Sequence, residues 1–336
     1  MNKLLKILIA AAAIAGSFAS AAVAAEYQPR IIRFGYGLAE DSNQGHAVKF
    51  FAEDLAKRTG GKLKIKGFAS ASLGNDNQMQ NALIGGAQEM TVVSTATLVG
   101  IEDSFGIYDL PFMFRSEQEA DAILDGKFGK SLAAKLEAKG LVGLVYWENG
   151  FRNVTNSKRE ITKMEDMKGI KLRVMQNPVY IDMFNAFGAN AIPLAYAELF
   201  TALESRTVDG QENPVNTIQS GKFYEVQKYL SITKHVYSPW IALASKKWWD
   251  GLSADEKKAL QESAVASRDF ERKDSRDAGA KALDILKQKG MQVTVVSSKE
   301  IDRMEDAARP AVAKFSANGH AELVKEMQTE LAKVRK

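Results

Sequence analysis

The 336-residue chain contains no cysteine and only three histidines, His46, His235 and His320. Without cysteine there are no disulfides, no thiolate metal sites, no cysteine nucleophile and no cysteine-linked lipid anchor. So few histidines leave little from which to build a histidine zinc site or a Ser-His-Asp triad. The sequence also lacks a Gly-x-Ser-x-Gly elbow, a His-Glu-x-x-His pair and a glycine-rich phosphate loop. An excess of one charge is missing too. Lys and Arg number 45 against 41 Asp and Glu, a formal net charge of +4 with no basic block, which does not indicate nucleic-acid binding. No segment after the N-terminus approaches the ~20 apolar residues that span a bilayer. What is present, 46% hydrophobic and 26% charged residues, fits a folded domain large enough to bury a core without staples.

The N-terminus reads as a targeting segment. Lys3 and Lys6 precede a short apolar run, Leu8 to Phe18. Ala22-Val23-Ala24 supplies a small-x-small cleavage pattern, with Ala19-Ser20-Ala21 as a second candidate. A membrane anchor is the alternative, but the run is shorter than a bilayer needs. Residues 1–25 are therefore expected to be a signal peptide cleaved near Ala24/Ala25, delivering a soluble chain to the periplasm.

Beyond it, strand and helix signals alternate. Ile31 to Gly35, Lys62 to Lys66 and Met90 to Val93 read as strands. Between them, Val48, Phe51, Ala52 and Leu55 share one helical face, and Asn77 to Ile84 reads as a helix ended by Gly85-Gly86. Further on, Leu141 to Tyr146, Ile170 to Val174 and Met291 to Val296 read as strands. Leu132 to Ala138, Pro178 to about Gly188 and Ala197 to Glu204 read as helices. Ser116 to Glu119, Ser253 to Glu256 and Ser297 to Glu300 match capping boxes. A long helix is predicted from Ser253 to about Lys287, with Gly279 weakening its middle. The alternation predicts an α/β protein of two lobes joined by short crossings. Residues 26–148 are assigned mainly to the first lobe and 149–240 mainly to the second. Residues 241–336 are assigned to crossing strands and C-terminal helices shared between them.

Three stretches carry candidate chemistry. Trp147 to Asn156 follows a buried strand, and ligands of open α/β sheets bind at such carboxyl ends. Its Arg152 offers a planar, permanently charged guanidinium suited to a carboxylate, although a surface arginine in a turn is the alternative. In Lys168 to Val174, strand alternation turns Lys171 and Arg173 to one face. A solvated edge strand explains that pattern equally well. In Thr207 to Pro214, Gln211 and Asn213 can hydrogen-bond in a cleft or decorate a polar loop. Two arginines from separate strand ends would hold one anion with fixed orientation.

In this order the three stretches resemble the solute-binding subunits of TRAP transporters, over essentially the whole mature chain. The similarity is carried by Asp166 to Val174, Gly188 to Pro193 and Val208 to Pro214, with Ala71 to Gly74 and Asp109 to Phe112 in support. The resemblance implies two α/β lobes around a cleft, a long bracing helix, closure on a ligand, and delivery to a membrane permease. It implies that Arg173 clamps the ligand carboxylate, that Arg152 assists and that Asn213 bonds the same end. Tyr196, Ser94, Thr95, Asp76, Asn43, Gln44, Asn177 and Trp240 are further wall candidates. His46, Trp147, Glu148 and Tyr237 are plausible beside them. No catalytic residue, metal or cofactor is expected, and the chain is expected to act as a monomer. Neutral polar groups in the first lobe favour a sugar acid such as a hexuronate or aldonate. C4-dicarboxylates and keto acids are the alternatives within this class, and a periplasmic enzyme acting on an organic acid is the alternative outside it.

Overall fold

A computed structural model describes residues 26–335; the expected signal peptide lies outside the described residues. The strands are β1 (Arg30–Tyr36), β2 (Leu63–Phe68), β3 (Met90–Ser94), β4 (Leu141–Phe151), β5 (Asn153–Asn156), β6 (Lys171–Val174), β7 (Asn190–Pro193), β8 (Gly210–Asn213), β9 (Tyr229–Ile232), β10 (Tyr237–Ser245) and β11 (Gln292–Val295). The helices are α1 (Asn43–Arg58), α2 (Asp76–Gly85), α3 (Glu117–Asp125), α4 (Lys127–Ala134), α5 (Pro178–Ala186), α6 (Leu199–Glu204), α7 (Val215–Ser220), α8 (Lys246–Asp250), α9 (Ala254–Gln288), α10 (Ser298–Phe315) and α11 (Ala321–Val334).

Local chemistry explains most of these boundaries. The Ser42 side chain caps α1 by accepting from the Gly45 N–H, and Val48, Phe51 and Leu55 bury one face of the helix. Asn75 and Gln78 form a full capping box on α2, which ends at left-handed Gly86. Pro178 occupies the first turn of α5 behind the Asn177 cap. Ser253 and Glu256 form the capping box of α9. The other two expected boxes are only half made. Ser116 Oγ accepts from the Glu119 N–H, but the Glu119 carboxylate turns to the Arg115 N–H and to Arg335. Ser297 Oγ likewise accepts from the Glu300 N–H, while Glu300 pairs with Arg303.

The strands make two mixed sheets, ordered β2-β1-β3-β10-β4 and β11-β9-β5-β8-β6-β7. Apolar side chains fill both faces of each. Val93, Ile241 and Leu243 face one side of the first sheet while Val92, Ala242 and Ala244 face the other. In the second, Val154, Leu172 and Val174 lie opposite Leu230 and Leu199. Each lobe is thus a sheet between helical layers.

The chain passes from the first sheet to the second at Arg152, between β4 and β5, and returns between Ile232 and Tyr237. These crossings are stitched together where the Arg152 N–H donates to the Val236 carbonyl at 2.8 Å. Helix α9, 35 residues or about 50 Å long, braces both lobes by packing on α1 and β4 on one side and α7 on the other. A last crossing joins α10, packed on α5, to α11, packed on α3; the helix breaks there at Asn318 and left-handed Gly319.

Two departures from the sequence reading shape the site. Strand β4 does not stop at Tyr146 but runs on to Phe151, so Trp147 to Phe151 is paired strand rather than the start of a loop. Strand β10, which had no sequence signal, is the partner that extends it.

Candidate functional site

A small cavity lies between the sheets, at the carboxyl ends of β1 and β3 on one side and of β6 and β8 on the other. Its walls are Gly37, Leu38, Gln44, Asp76, Ser94 and Trp240 from the first lobe, Asn149 and Arg152 at the crossing, and Met175, Tyr196, Asn213 and Thr217 from the second. Its volume is about 30 Å³, room for about two water molecules.

The second-lobe wall is built on ion pairing. Arg152 is fully buried. Its Nε and Nη2 donate to the Glu212 carboxylate at 2.5 and 2.8 Å, and Nη2 also reaches the Glu212 carbonyl. His235 Nε2 lies 3.0 Å from the same carboxylate, and the Tyr180 ring packs 5.5 Å from the guanidinium. Burial opposes both charges. Even so, Glu212 holds the Arg152 pKa above its ordinary value, and Arg152 holds the Glu212 pKa below its own. Burial lowers the His235 pKa, which keeps the ring neutral. Arg152 therefore enters the site already compensated, with one guanidinium nitrogen, Nη1, buried and unpartnered.

Arg173 is different. It lies in β6, which pairs with β8 so that Arg173 stands opposite Gln211. The side chain is 1% exposed. Its Nε donates to the Leu194 carbonyl at 2.8 Å, while Nη1 is buried without a partner. Among the described residues Arg173 makes no ion pair. Burial lowers its pKa to about 10; the field of Glu212 opposes that fall and Arg152 adds to it. A buried cation without a contacting anion is costly. Asn213, at the end of β8, donates to Gln211 Oε1 at 2.5 Å, and Gln211 in turn donates to Thr155.

The first-lobe wall supplies acceptors. Asp76 Oδ2 accepts from the Ser94 N–H at 3.1 Å. Burial raises its pKa to about 6, against the pull of that bond and of Arg173. Gln44 Oε1 accepts from the Leu38 N–H at 3.0 Å. Gly45 lets the loop fold back here, since a Cβ at that position would stand 2.2 Å from the Glu40 carbonyl oxygen. Tyr196 and Trp240 add aromatic surface, and burial raises the Tyr196 pKa.

Of the residues expected from sequence, Arg152, Asn213, Tyr196, Ser94, Asp76, Gln44 and Trp240 share this cavity; Arg173 is not among its lining residues, but its charge is coupled to those of Asp76 and Tyr196, which are. Three others sit elsewhere. Asn43 donates to Glu271 and Ser275 on α9. Thr95 donates to the Pro239 carbonyl. Asn177 caps α5 and donates to Asp109 at 2.8 Å, an aspartate whose pKa burial lifts to about 8. Trp147 is core packing against Phe34, Glu148 pairs with Arg276 and accepts from Tyr237, and His46 pairs with Asp274 at the surface. The sequence reading did not single out Asn149 and Thr217, which are joined by a 2.9 Å hydrogen bond. Asn149 lay within a flagged stretch, but Thr217 follows Pro214 on a helix too short to give a periodic signal.

The described residues contain no group of three or more His, Asp or Glu side chains able to hold a metal ion. No helix among them is long and apolar enough to cross a membrane.

The family model described as DctP, bacterial extracellular solute-binding protein, family 7, matches residues 34–318. The chain is 42% identical over 262 residues to the 2,3-diketo-L-gulonate-binding periplasmic protein YiaO of Escherichia coli, covering 78% of this chain and 80% of that one. It is similar in structure to the sugar acid binding protein DctPAm of Advenella mimigardefordensis in complex with galactonate. There the TM-score is 0.90 and the identity 51%, over 92% of this chain and 99% of that one. It is also similar to a TRAP periplasmic solute binding protein of Polaromonas bound to D-erythronate, with a TM-score of 0.85 and 39% identity over 89% and 98% of the two chains.

Proposed function

The chain belongs to family 7 of the bacterial extracellular solute-binding proteins, and from that membership we propose that it captures a sugar acid for a TRAP permease by an arginine clamp, without chemical turnover. The observation that carries this reading is Arg173, a buried guanidinium with no anion of its own and a free Nη1. The ligand carboxylate is the missing counter-ion. It meets Nη1 of Arg173 and Nη1 of Arg152, with Asn213 at the same end. Each charge-assisted bond nets ~1.5–3 kcal/mol. Two or three with added polar contacts reach the ~8 kcal/mol of micromolar binding.

The opposite wall selects what the rest of the acid carries. Asp76 presents an acceptor to hydroxyl groups, Gln44 its amide N–H donors and Ser94 its hydroxyl, and an ionised Asp76 repels a second carboxylate. This favours an aldonate or hexuronate over a C4-dicarboxylate, in keeping with the galactonate and D-erythronate bound by the two structural relatives. A six-carbon acid is far larger than the described cavity, so admission requires the lobes to part. Closure then shifts the population toward the state with more ligand contacts and strengthens those contacts by excluding water. The permease would read that closed shape, and the family's extracellular role supports an encounter in the periplasm, after signal cleavage.

Calorimetry with galactonate, galacturonate, erythronate, succinate and malate tests the assignment. The sugar acids are expected to bind at micromolar affinity or better and the dicarboxylates at least tenfold more weakly. Tight succinate binding with silence from every sugar acid would reverse it. Release of a converted product under saturating acid would favour an enzyme instead. In the same assay Asp76→Asn is expected to raise succinate affinity by about tenfold or more at pH 8. In the wild type this discrimination should weaken as pH falls through about 6, where Asp76 gains its proton. Succinate binding unchanged by the substitution would remove Asp76 from selectivity.

A further inference from the structure

We propose that Asn77 and Gln176 form a latch across the mouth of the cleft that sets the rate of ligand release without touching the ligand. Asn77 Nδ2 donates to Gln176 Oε1 at 3.1 Å. Asn77 lies in the first turn of α2, in the first lobe, and Gln176 follows β6, in the second. Each is the chain neighbour of a cavity-wall residue, Asp76 and Met175 respectively, yet neither lines the cavity. The bond therefore spans the cleft one residue outside the site.

Neither side chain has a structural duty in its own lobe. Helix α2 is capped by Asn75 and Gln78, and α5 by Asn177. Other polar links between the lobes involve buried groups, the crossing segments or the bracing helix. Examples are Asn177 with Asp109, the Arg152 N–H with Val236, and Asn216 with Ser275 of α9. The Asn77–Gln176 bond is solvent-exposed and far apart in sequence, so it forms only when the two lobes meet. A contact present in the closed state and absent in the open one shifts the population toward closure. It slows opening and leaves the encounter with the open cleft unchanged. One exposed hydrogen bond corresponds to about a two- to tenfold change in the rate of release.

This inference rests on the reading that the protein closes on an acid, and the test separates the two. Stopped-flow binding of galactonate to wild type, Asn77→Ala, Gln176→Ala and the double variant gives the on- and off-rates. The latch predicts a two- to tenfold faster off-rate in each single variant, an on-rate within about twofold of wild type, and a double variant no faster than either single one. Melting temperatures should not move. The pair Asn77→Asp with Gln176→Lys, which substitutes an ion pair for the amide bond, should restore slow release. Wild-type binding with unchanged off-rates in the single variants, or with single effects that simply multiply, would overturn the latch alone. A wild type that binds neither galactonate nor any other acid of the panel would overturn the binding reading and the latch with it.

Discussion

Arg173→Met weakens acid binding by at least about 30-fold and leaves the ligand-free protein at least as stable as wild type. The two halves of this result have one cause. In wild type the Arg173 guanidinium is buried without a contacting carboxylate, and burial pulls its pKa down to about 10. Methionine of similar reach removes the desolvation cost without opening a large cavity. The same change deletes the ligand's principal counter-charge. Truncating one partner of a buried charged pair costs 2–5 kcal/mol or more, which is about 30- to 5,000-fold in Kd. Calorimetry gives the affinity, and thermal melting without ligand gives the stability. A strongly lowered melting temperature would show that Arg173 is a structural cation whose partner lies within the protein.

Arg152→Met gives the opposite result for stability. Arg152 neutralises Glu212 inside the second lobe through two bonds to its carboxylate, and both residues are fully buried. Removing one partner of such a pair typically costs ~3–5 kcal/mol, because the other charge is left uncompensated. The pH dependence follows from Glu212. Its pKa is held below the ordinary carboxylate value, so the pair's contribution is present above the unfolded pKa and lost as pH falls through the folded one. In Arg152→Met only the His235 bond and the field of Arg173 remain to hold the proton off. The defect should therefore be large at pH 7 to 8 and shrink only as pH falls below the ordinary carboxylate range, through the lowered Glu212 pKa, where Glu212 is protonated in either protein. Arg152→Met with Glu212→Leu should be less destabilised than Arg152→Met alone at pH 7 to 8. A single variant as stable as wild type at pH 8 would mean that the pair contributes nothing to the fold.

The contrast between these two arginines marks the limit of what the sequence makes legible. Helix α1, the capping box of α9 and the strand carrying Arg173 follow from local rules, because apolar spacing and capping chemistry act over a few residues. Strand β8 does not. Gly210–Asn213 reads as a polar loop, and it is a wholly buried strand because each polar side chain has found a partner: Gln211 on Thr155, Glu212 on Arg152, Asn213 on Gln211. The Arg152–Glu212 bond joins residues 60 apart in sequence, so no window around Arg152 shows that its charge is already satisfied.

Strand β10 stayed hidden for a related reason. All of Tyr237–Ser245 is buried, so it shows no inside–outside alternation, and Pro239 within it argues against a strand. Pro239 is accommodated at a register shift against β4, opposite the stretch where Gly150 takes a positive φ of 113°. Asn43, Thr95 and Asn177 are polar residues next to cleft elements whose bonds lie with α9, β10 and Asp109 instead. Proximity along the chain brought them to notice; the direction of the side chain decides the role.

The most direct measurement is a crystal structure with galactonate bound. One galactonate carboxylate is expected within about 3 Å of the Nη1 atoms of both Arg173 and Arg152, with the hydroxyl groups turned toward Asp76. A carboxylate held elsewhere, or the two guanidinium groups pointing away from each other into solvent, would contradict it.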